Sequence, residues 1–189
     1  PQSFNVRLIR MRYTDTGKKK NKPFDSYAFL IETVDRLEKR LAAKELKEVK
    51  IIDKYTDQEQ MDLVAVFQFM IANLDWSVTG LHNLKLVQRE GVLYPVPYDF
   101  DFAGIVGAFY GSGEPAPDMP EAPVNRIYQG YCLPRPSFES VLDRFRTRQV
   151  EMFDRVEQFD LLAPNARTEM ADLLRSFFRL NLLQSTRCL

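Results

Sequence analysis

The sequence predicts an α+β fold, mostly helical, with β-hairpins in place of alternating strand–helix–strand units. Three patterns carry that expectation. Apolar and polar residues alternate near the N-terminus and again between residues 83 and 98. The stretch MDLVAVFQFMIA holds ten apolar residues in twelve. In the last third, aromatic and aliphatic residues recur at helical spacing.

In chain order, FNVRLIRMRYTDT alternates as a strand, with β-branched and aromatic side chains. GKKKNKP makes a solvated turn whose lysines read as a soluble hairpin tip, and FDSYAFLIE returns as the second strand. TVDRLEKRLAAKELKEV reads as an amphipathic helix burying Val34, Leu37, Leu41 and Leu46. Thr56-Asp57-Gln58-Glu59 has the form of a capping box, opening a helix that is apolar nearly all round and ends at Asn73-Leu74-Asp75. Such a helix is expected at the centre of the domain.

Loop chemistry follows to His82, then two short strands turn about Arg89-Glu90-Gly91 and lead into YPVPYDFDFAG. Residues 103–136 are rich in Gly and Pro, with six prolines after Gly113, and read as a functional or flexible loop. GSGEPA within it imitates a dinucleotide fingerprint, but no strand precedes it, and Pro115 and Pro117 forbid an ordinary helix. Phe138, Val141, Leu142, Phe145, Met152, Val156 and Phe159 predict one long helix. Met170, Leu173, Leu174, Phe177 and Phe178 predict a second after Pro164.

Composition excludes several classes of function. Lys plus Arg, at 26, equals Asp plus Glu, at 26, so no net field favours nucleic acid. No run of 18 apolar residues is present to span a bilayer. Two cysteines, Cys132 and Cys188, and one histidine, His82, cannot build a zinc site of the usual kinds. The cysteines read either as buried thiols or as a disulfide, the latter implying export. A Ser-His-Asp hydrolase would need His82 beside a G-x-S-x-G turn, which is missing. The chain opens on PQSFNVRLIR, without Met or signal peptide, so a longer precursor is expected. Localisation is left open, with export to the periplasm or beyond if a signal peptide precedes Pro1.

The chemistry concentrates in four residues. Asp75 follows the buried helix, and Asn83 stands eight positions later at the start of a strand. The hairpin from Asn83 returns the chain to Asp99 and Asp101, so Asn83 and Asp99 are expected within a few ångströms of each other. Phosphoryl transfer needs such a set, with oxygen ligands for a divalent cation and a separate Asp for the attacking hydroxyl. Asp next to a turn also caps helices and accepts backbone N–H groups, which is the local alternative for each residue alone. Asp-x-Asp after a strand also binds manganese in nucleotide-sugar glycosyltransferases, on a parallel sheet that this sequence does not predict.

FQFMIANLDWSVTGLHNLKLV followed by YPVPYDFDFAGIV resembles the catalytic core of atypical protein kinases, particularly the spore-coat CotH kinases and more loosely the bacterial HipA-type kinases. It is similar above all to an uncharacterised bacterial group sharing VPYDFDF. The resemblance covers roughly residues 5–110. It implies a single kinase-like lobe over 1–189: a β-hairpin at 1–33, helices at 34–75, catalytic and metal loops with a hairpin at 76–102, the Gly/Pro-rich loop at 103–136 and C-terminal helices at 137–189. It implies Asp75 as the catalytic Asp, Asn83 and Asp99 as nucleotide and metal residues, and Asp101 as a further metal carboxylate. Glu32 is a weaker match to the family's strand-end Glu. The cofactors implied are ATP with Mg²⁺ or Mn²⁺, and the acceptor is a protein or small-molecule hydroxyl.

The chain departs from the pattern in three places. The gap from Asp75 to Asn83 exceeds D-x-x-x-x-N, Asn73-Leu74-Asp75 stands where His-Arg-Asp is usual, and no Gly-rich loop and no strand Lys paired with a helix Glu are found. Those parts are expected in an N-terminal segment of the same gene product, so this chain alone is expected to be inactive. The alternative is a catalytically inactive kinase-like scaffold or accessory subunit of a larger assembly. His82 is expected to orient the loop, and Trp76 to anchor it.

Overall fold

The computed structural model describes residues 2–17, 22–47, 51, 53–107, 126–130 and 135–180. Helices and small antiparallel sheets combine in it as an α+β fold. Strands β1 (Val6–Tyr13) and β2 (Phe24–Ile31) form the expected hairpin, in register from Val6 opposite Ile31 to Tyr13 opposite Phe24. Alternation puts Val6, Leu8, Phe29 and Ile31 on one face, and Met11, Tyr13, Phe24 and Leu30 on the other. These side chains are exposed on both faces, Phe29 at 66% and Val6 at 64%. A two-stranded ribbon is marginal in water without further cover. Arg10 and Arg12 pair with Asp25 across the strands, but such exposed pairs add little.

Helix α1 (Val34–Leu41) is shorter than its pattern suggested. Ala42 turns into the left-handed region at φ 50°, and Lys44–Leu46 become strand β3, paired with the later strand β4 (Leu84–Arg89). The edge of β4 supplies hydrogen-bonding partners that an extra helical turn would have left unpaired. Leu37 remains fully buried, packed with Ala43, Val87 and Val96.

Helix α2 (Gln58–Met70) is central, as its composition required, with residues buried on every side. Its N-cap is Asp57, not Thr56: the Asp57 carboxylate accepts the Gln60 N–H at 2.8 Å. Thr56 is drawn away because its hydroxyl donates to Asp53 O at 2.6 Å and its backbone bridges to Leu93. β4 and β5 (Val92–Pro97) make the second hairpin, with Glu90 and Gly91 both at positive φ, the two-residue turn that matches strand twist. β5 is an edge strand, which is where Pro95 and Pro97 are tolerated.

Three helices close the described chain where two were expected: α3 (Arg135–Thr147), α4 (Gln149–Glu157) and α5 (Pro164–Arg179). The first apolar stripe spans α3 and α4, and the helix breaks at Arg148, whose ψ is 7°. Phe138, Val141, Leu142, Phe145, Leu174 and Phe177 join Phe69 and Met70 in the main core, while Phe159 is exposed. Of the Gly/Pro-rich loop, residues 103–107 and 126–130 are described, with the backbone of Arg135 and Pro136. GSGEPA and both cysteines lie outside the described residues, as do residues 18–21 of the lysine-rich tip.

Segment 126–130 is tightly seated. Arg126 is buried, donating to Leu173 O at 2.7 Å and Ser176 Oγ at 2.9 Å, and burial pulls its pKa down to about 10. Gly130 packs onto α2: a Cβ there would stand 2.6 Å from Ala65 Cβ and collide with the Tyr128 ring. Gly130→Ala is therefore expected to cost about 1–3 kcal/mol as overpacking, read as a lower midpoint in urea. An unchanged midpoint would show that the segment is not held against α2.

Candidate functional site

After Met70, Ile71 closes α2 and Ala72 turns left-handed at φ 54°. Asn73 then organises the loop from a nearly fully buried position. Its Nδ2 donates to Gln68 Oε1 at 3.0 Å, and its Oδ1 accepts the Asp75 N–H at 3.0 Å, an Asx turn that aims the next residues. Trp76 anchors the other flank in a cluster with Met61, Val64 and Leu84, as expected.

Both oxygens of the Asp75 carboxylate are held. His82 Nε2 donates to Oδ1 at 2.7 Å, and Asn83 Nδ2 donates to Oδ2 at 2.8 Å. The same Nδ2 reaches Asp75 O at 2.7 Å, which leaves Asn83 Oδ1 as the acceptor end of that amide. Ser77 and His82 exchange backbone hydrogen bonds at 3.0 Å, and Gly80 N donates to Ser77 Oγ at 2.9 Å. This tight loop absorbs the extra residues between Asp75 and Asn83, so the longer gap does not separate the two side chains.

The hairpin closes the second half of the site. Tyr98 N donates to Asn83 O at 3.0 Å, setting Asp99 one residue from the start of β4. Gly104 N and Ile105 N donate to Ala72 O and Ile71 O, so the chain beyond Asp101 returns to the end of α2. Phe100 lies edge-on to Phe67 at 5.5 Å. Asp99 and Asp101 thus ride an arch between Asn83 and the helix end. Asp99 Oδ1 accepts the Asp101 N–H at a long 3.4 Å. The Asp101 carboxyl is pushed above its ordinary value by desolvation, then by the negative charges of Asp99 and Asp75.

The structure therefore joins Asp75 and Asn83 directly and sets Asp99 and Asp101 beside them. Glu32 is elsewhere: it pairs with Arg40 at 2.7 Å and accepts the Asn5 N–H, holding its carboxyl low. Among the described residues, no group of three or more His, Cys, Asp or Glu side chains gathers closely enough to hold a metal ion by itself. Two carboxylates and an amide oxygen do suit Mg²⁺, which is commonly held by one or two carboxylates with substrate phosphates and water. The crowded negative charge on Asp101 is what a divalent cation would relieve.

A cavity of about 1310 Å³ opens beside the arch. Val6 and Phe29 from the first hairpin, Leu63 and Phe67 from α2, and Asp99 and Asp101 line it, whereas Asp75 and Asn83 do not. Its wall is mostly apolar, with Asp99 and Asp101 on the arch and Asp143, Arg144 and Arg148 from α3 and the break after it. A mostly apolar wall with a few polar groups is the usual make-up of a small-molecule site. The sequence offered the four polar residues but neither this cavity nor the part played by Asn73 and Gln68. The Asn-x-Asp spacing was the only signal for the latter. Among the described residues no helix is long and apolar enough to cross a membrane. No protein-family model, curated protein or solved structure matches this chain.

Proposed function

We propose that this chain is the larger lobe of an atypical, CotH-like kinase that moves a phosphoryl group from Mg²⁺·ATP to a hydroxyl on a protein or small molecule. The observation that carries the reading is the Asp75 carboxylate, held on both oxygens beside an arch bearing Asp99 and Asp101. Asp75 has lone pairs left over from those two hydrogen bonds. It orients the acceptor hydroxyl and takes its proton as the new O–P bond forms and the bond to the leaving ADP oxygen breaks. Asn83 Oδ1, Asp99 and Asp101 hold the cation, which neutralises the phosphate oxygens when bound.

The exposed apolar hairpin β1–β2 fits this reading as the seat of a further lobe supplying a Gly-rich loop over the nucleotide. The second reading is a scaffold without turnover. It is favoured by Glu32, the match to the strand-end Glu, being already tied to Arg40.

The test is a thermal-shift titration with ATP and Mg²⁺, run beside Asp99→Asn. Ligand at about 100 times its Kd adds about 2.7 kcal/mol, which is a rise of roughly 5–10 °C for a chain of this size. The rise should need Mg²⁺ and vanish in Asp99→Asn. A rise of equal size in the variant would remove Asp99 from the site. No rise in either protein would favour the scaffold.

A further inference from the structure

His82 stands outside the set of residues that orients and transfers the phosphoryl group, yet it makes one of the two short contacts to the Asp75 carboxylate. We infer that His82 is the positioning residue that fixes the Asp75 carboxylate for transfer, doing from the C-terminal side what a residue just before the catalytic Asp would otherwise do. This rests on the phosphotransfer reading for its catalytic half, while its geometric half stands alone.

Four observations converge on it. The residues before Asp75 are spent on its backbone: the Asn73 side chain binds Asp75 N and Gln68, not the carboxylate. The carboxylate is left to the two consecutive residues His82 and Asn83, at 2.7 and 2.8 Å. Leu81 and Asn83, on either side of His82, both adopt left-handed backbone, at φ 46° and 53°. Asn tolerates that region but Leu81 does not, and strain of this kind persists only where the surroundings impose it. Finally, the Ser77–His82 backbone pair clamps the loop whatever side chain His82 carries. The imidazole is thus not needed to close the loop, and its ring is more than half exposed, with its side chain at 57%. A core packing role does not explain it.

The chemistry follows from which nitrogen bears the proton. A carboxylate only accepts, so Nε2 carries the hydrogen in this contact. With Oδ1 tied to His82 and Oδ2 to Asn83, rotation of the carboxylate about its last bond breaks both contacts at once. The acceptor hydroxyl then meets a fixed base, which is where orientation contributes to rate. If Asn83 also turns its Oδ1 to a cation, His82 alone keeps the carboxylate from following that movement.

His82 is the only histidine in the chain, so its ring can be read without assignment ambiguity. Long-range ¹H–¹⁵N spectra of the full chain, taken at a pH where the spectra themselves show a neutral ring, should show one tautomer, protonated at Nε2. Asp75→Ala should release it to a mixture. A mixture already present in the parent, or no change in Asp75→Ala, overturns the contact and the proposal with it. The second arm measures ATP hydrolysis by the complete gene product, with Mg²⁺·ATP as the probe. His82→Ala should lower kcat about 10–100-fold, the worth of a hydrogen bond to a charged group, with KM for Mg²⁺·ATP within about twofold. His82→Gln, whose amide Nε2 can donate to the same oxygen, should recover part of kcat. Equal kcat in His82→Ala, or a loss seen in KM alone, overturns the positioning role. Absence of turnover in the parent overturns the phosphotransfer reading and the catalytic half, while the spectra still decide whether His82 holds Asp75.

Discussion

Asp62→Asn is expected to make the protein more stable at pH 8 and to flatten its pH dependence between pH 5 and 8. Asp62 lies on α2 with 2% exposure, and its Oδ1 has no hydrogen-bond partner. Desolvation, with the negative charge of Asp57 second, raises its pKa from 3.8 to about 7. Tyr128, partly buried with its hydroxyl enclosed and unpartnered, is pushed up by desolvation and then by Asp62 itself.

The sign of the effect follows from proton uptake. Between pH 4 and 7 the folded protein holds a proton on Asp62 that the unfolded chain has released, so stability falls as pH rises through that window. A shift of about three units corresponds to at most about 4 kcal/mol, and partial relaxation brings roughly 2–4 kcal/mol. Glu32 and Glu38 do not blur the result. Glu32 is held low by Arg40, and Glu38 by the Glu45 N–H and then Lys44, so both act below their ordinary 4.5 and in the opposite direction. Urea midpoints at pH 5 and pH 8 measure the effect. Asp101, also raised, acts in the same direction in both proteins, so the parent should lose clearly more stability across that interval than Asp62→Asn. An equal loss in both proteins would mean that Asp62 ionises as it does in the unfolded chain.

Asp75→Asn in the complete gene product should reduce turnover of Mg²⁺·ATP by about 10²–10⁴-fold, the range for a positioned general base. The amide keeps the shape of the carboxylate, but it cannot accept the hydroxyl proton. Folding should survive, because the Asx turn uses the backbone of Asp75 and the Ser77–His82 pair is backbone to backbone. Melting within about 2 °C of the parent, with turnover lost, would separate chemistry from structure. A variant that turns over within about threefold of the parent would move the base elsewhere.

The sequence by itself determined whatever local physics dictates. The two hairpins were legible from alternation and from Glu90-Gly91, a turn whose backbone twist suits joined strands. The central helix was legible because ten apolar residues in twelve leave no solvent face. Asp75, Asn83, Asp99 and Asp101 were legible as a set because a hairpin must return near its origin, and Tyr98 N on Asn83 O is that return.

Tertiary structure decided the rest, wherever two local solutions had similar cost. Residues 44–46 carry a helical pattern, yet the open edge of β4 took them as a strand. Thr56 and Asp57 both cap helices well, and the pull of Asp53 and Leu93 on Thr56 gave the cap to Asp57. The single stripe from Phe138 to Val156 broke at Arg148, which spacing alone does not reveal. Glu32 went to Arg40, and Asp62 was buried without a hydrogen bond at Oδ1, because burial and pairing belong to packing. The contact between His82 and Asp75 belongs to the same class. It needs Leu81 in a left-handed backbone region that a leucine disfavours, and only the folded loop imposes it.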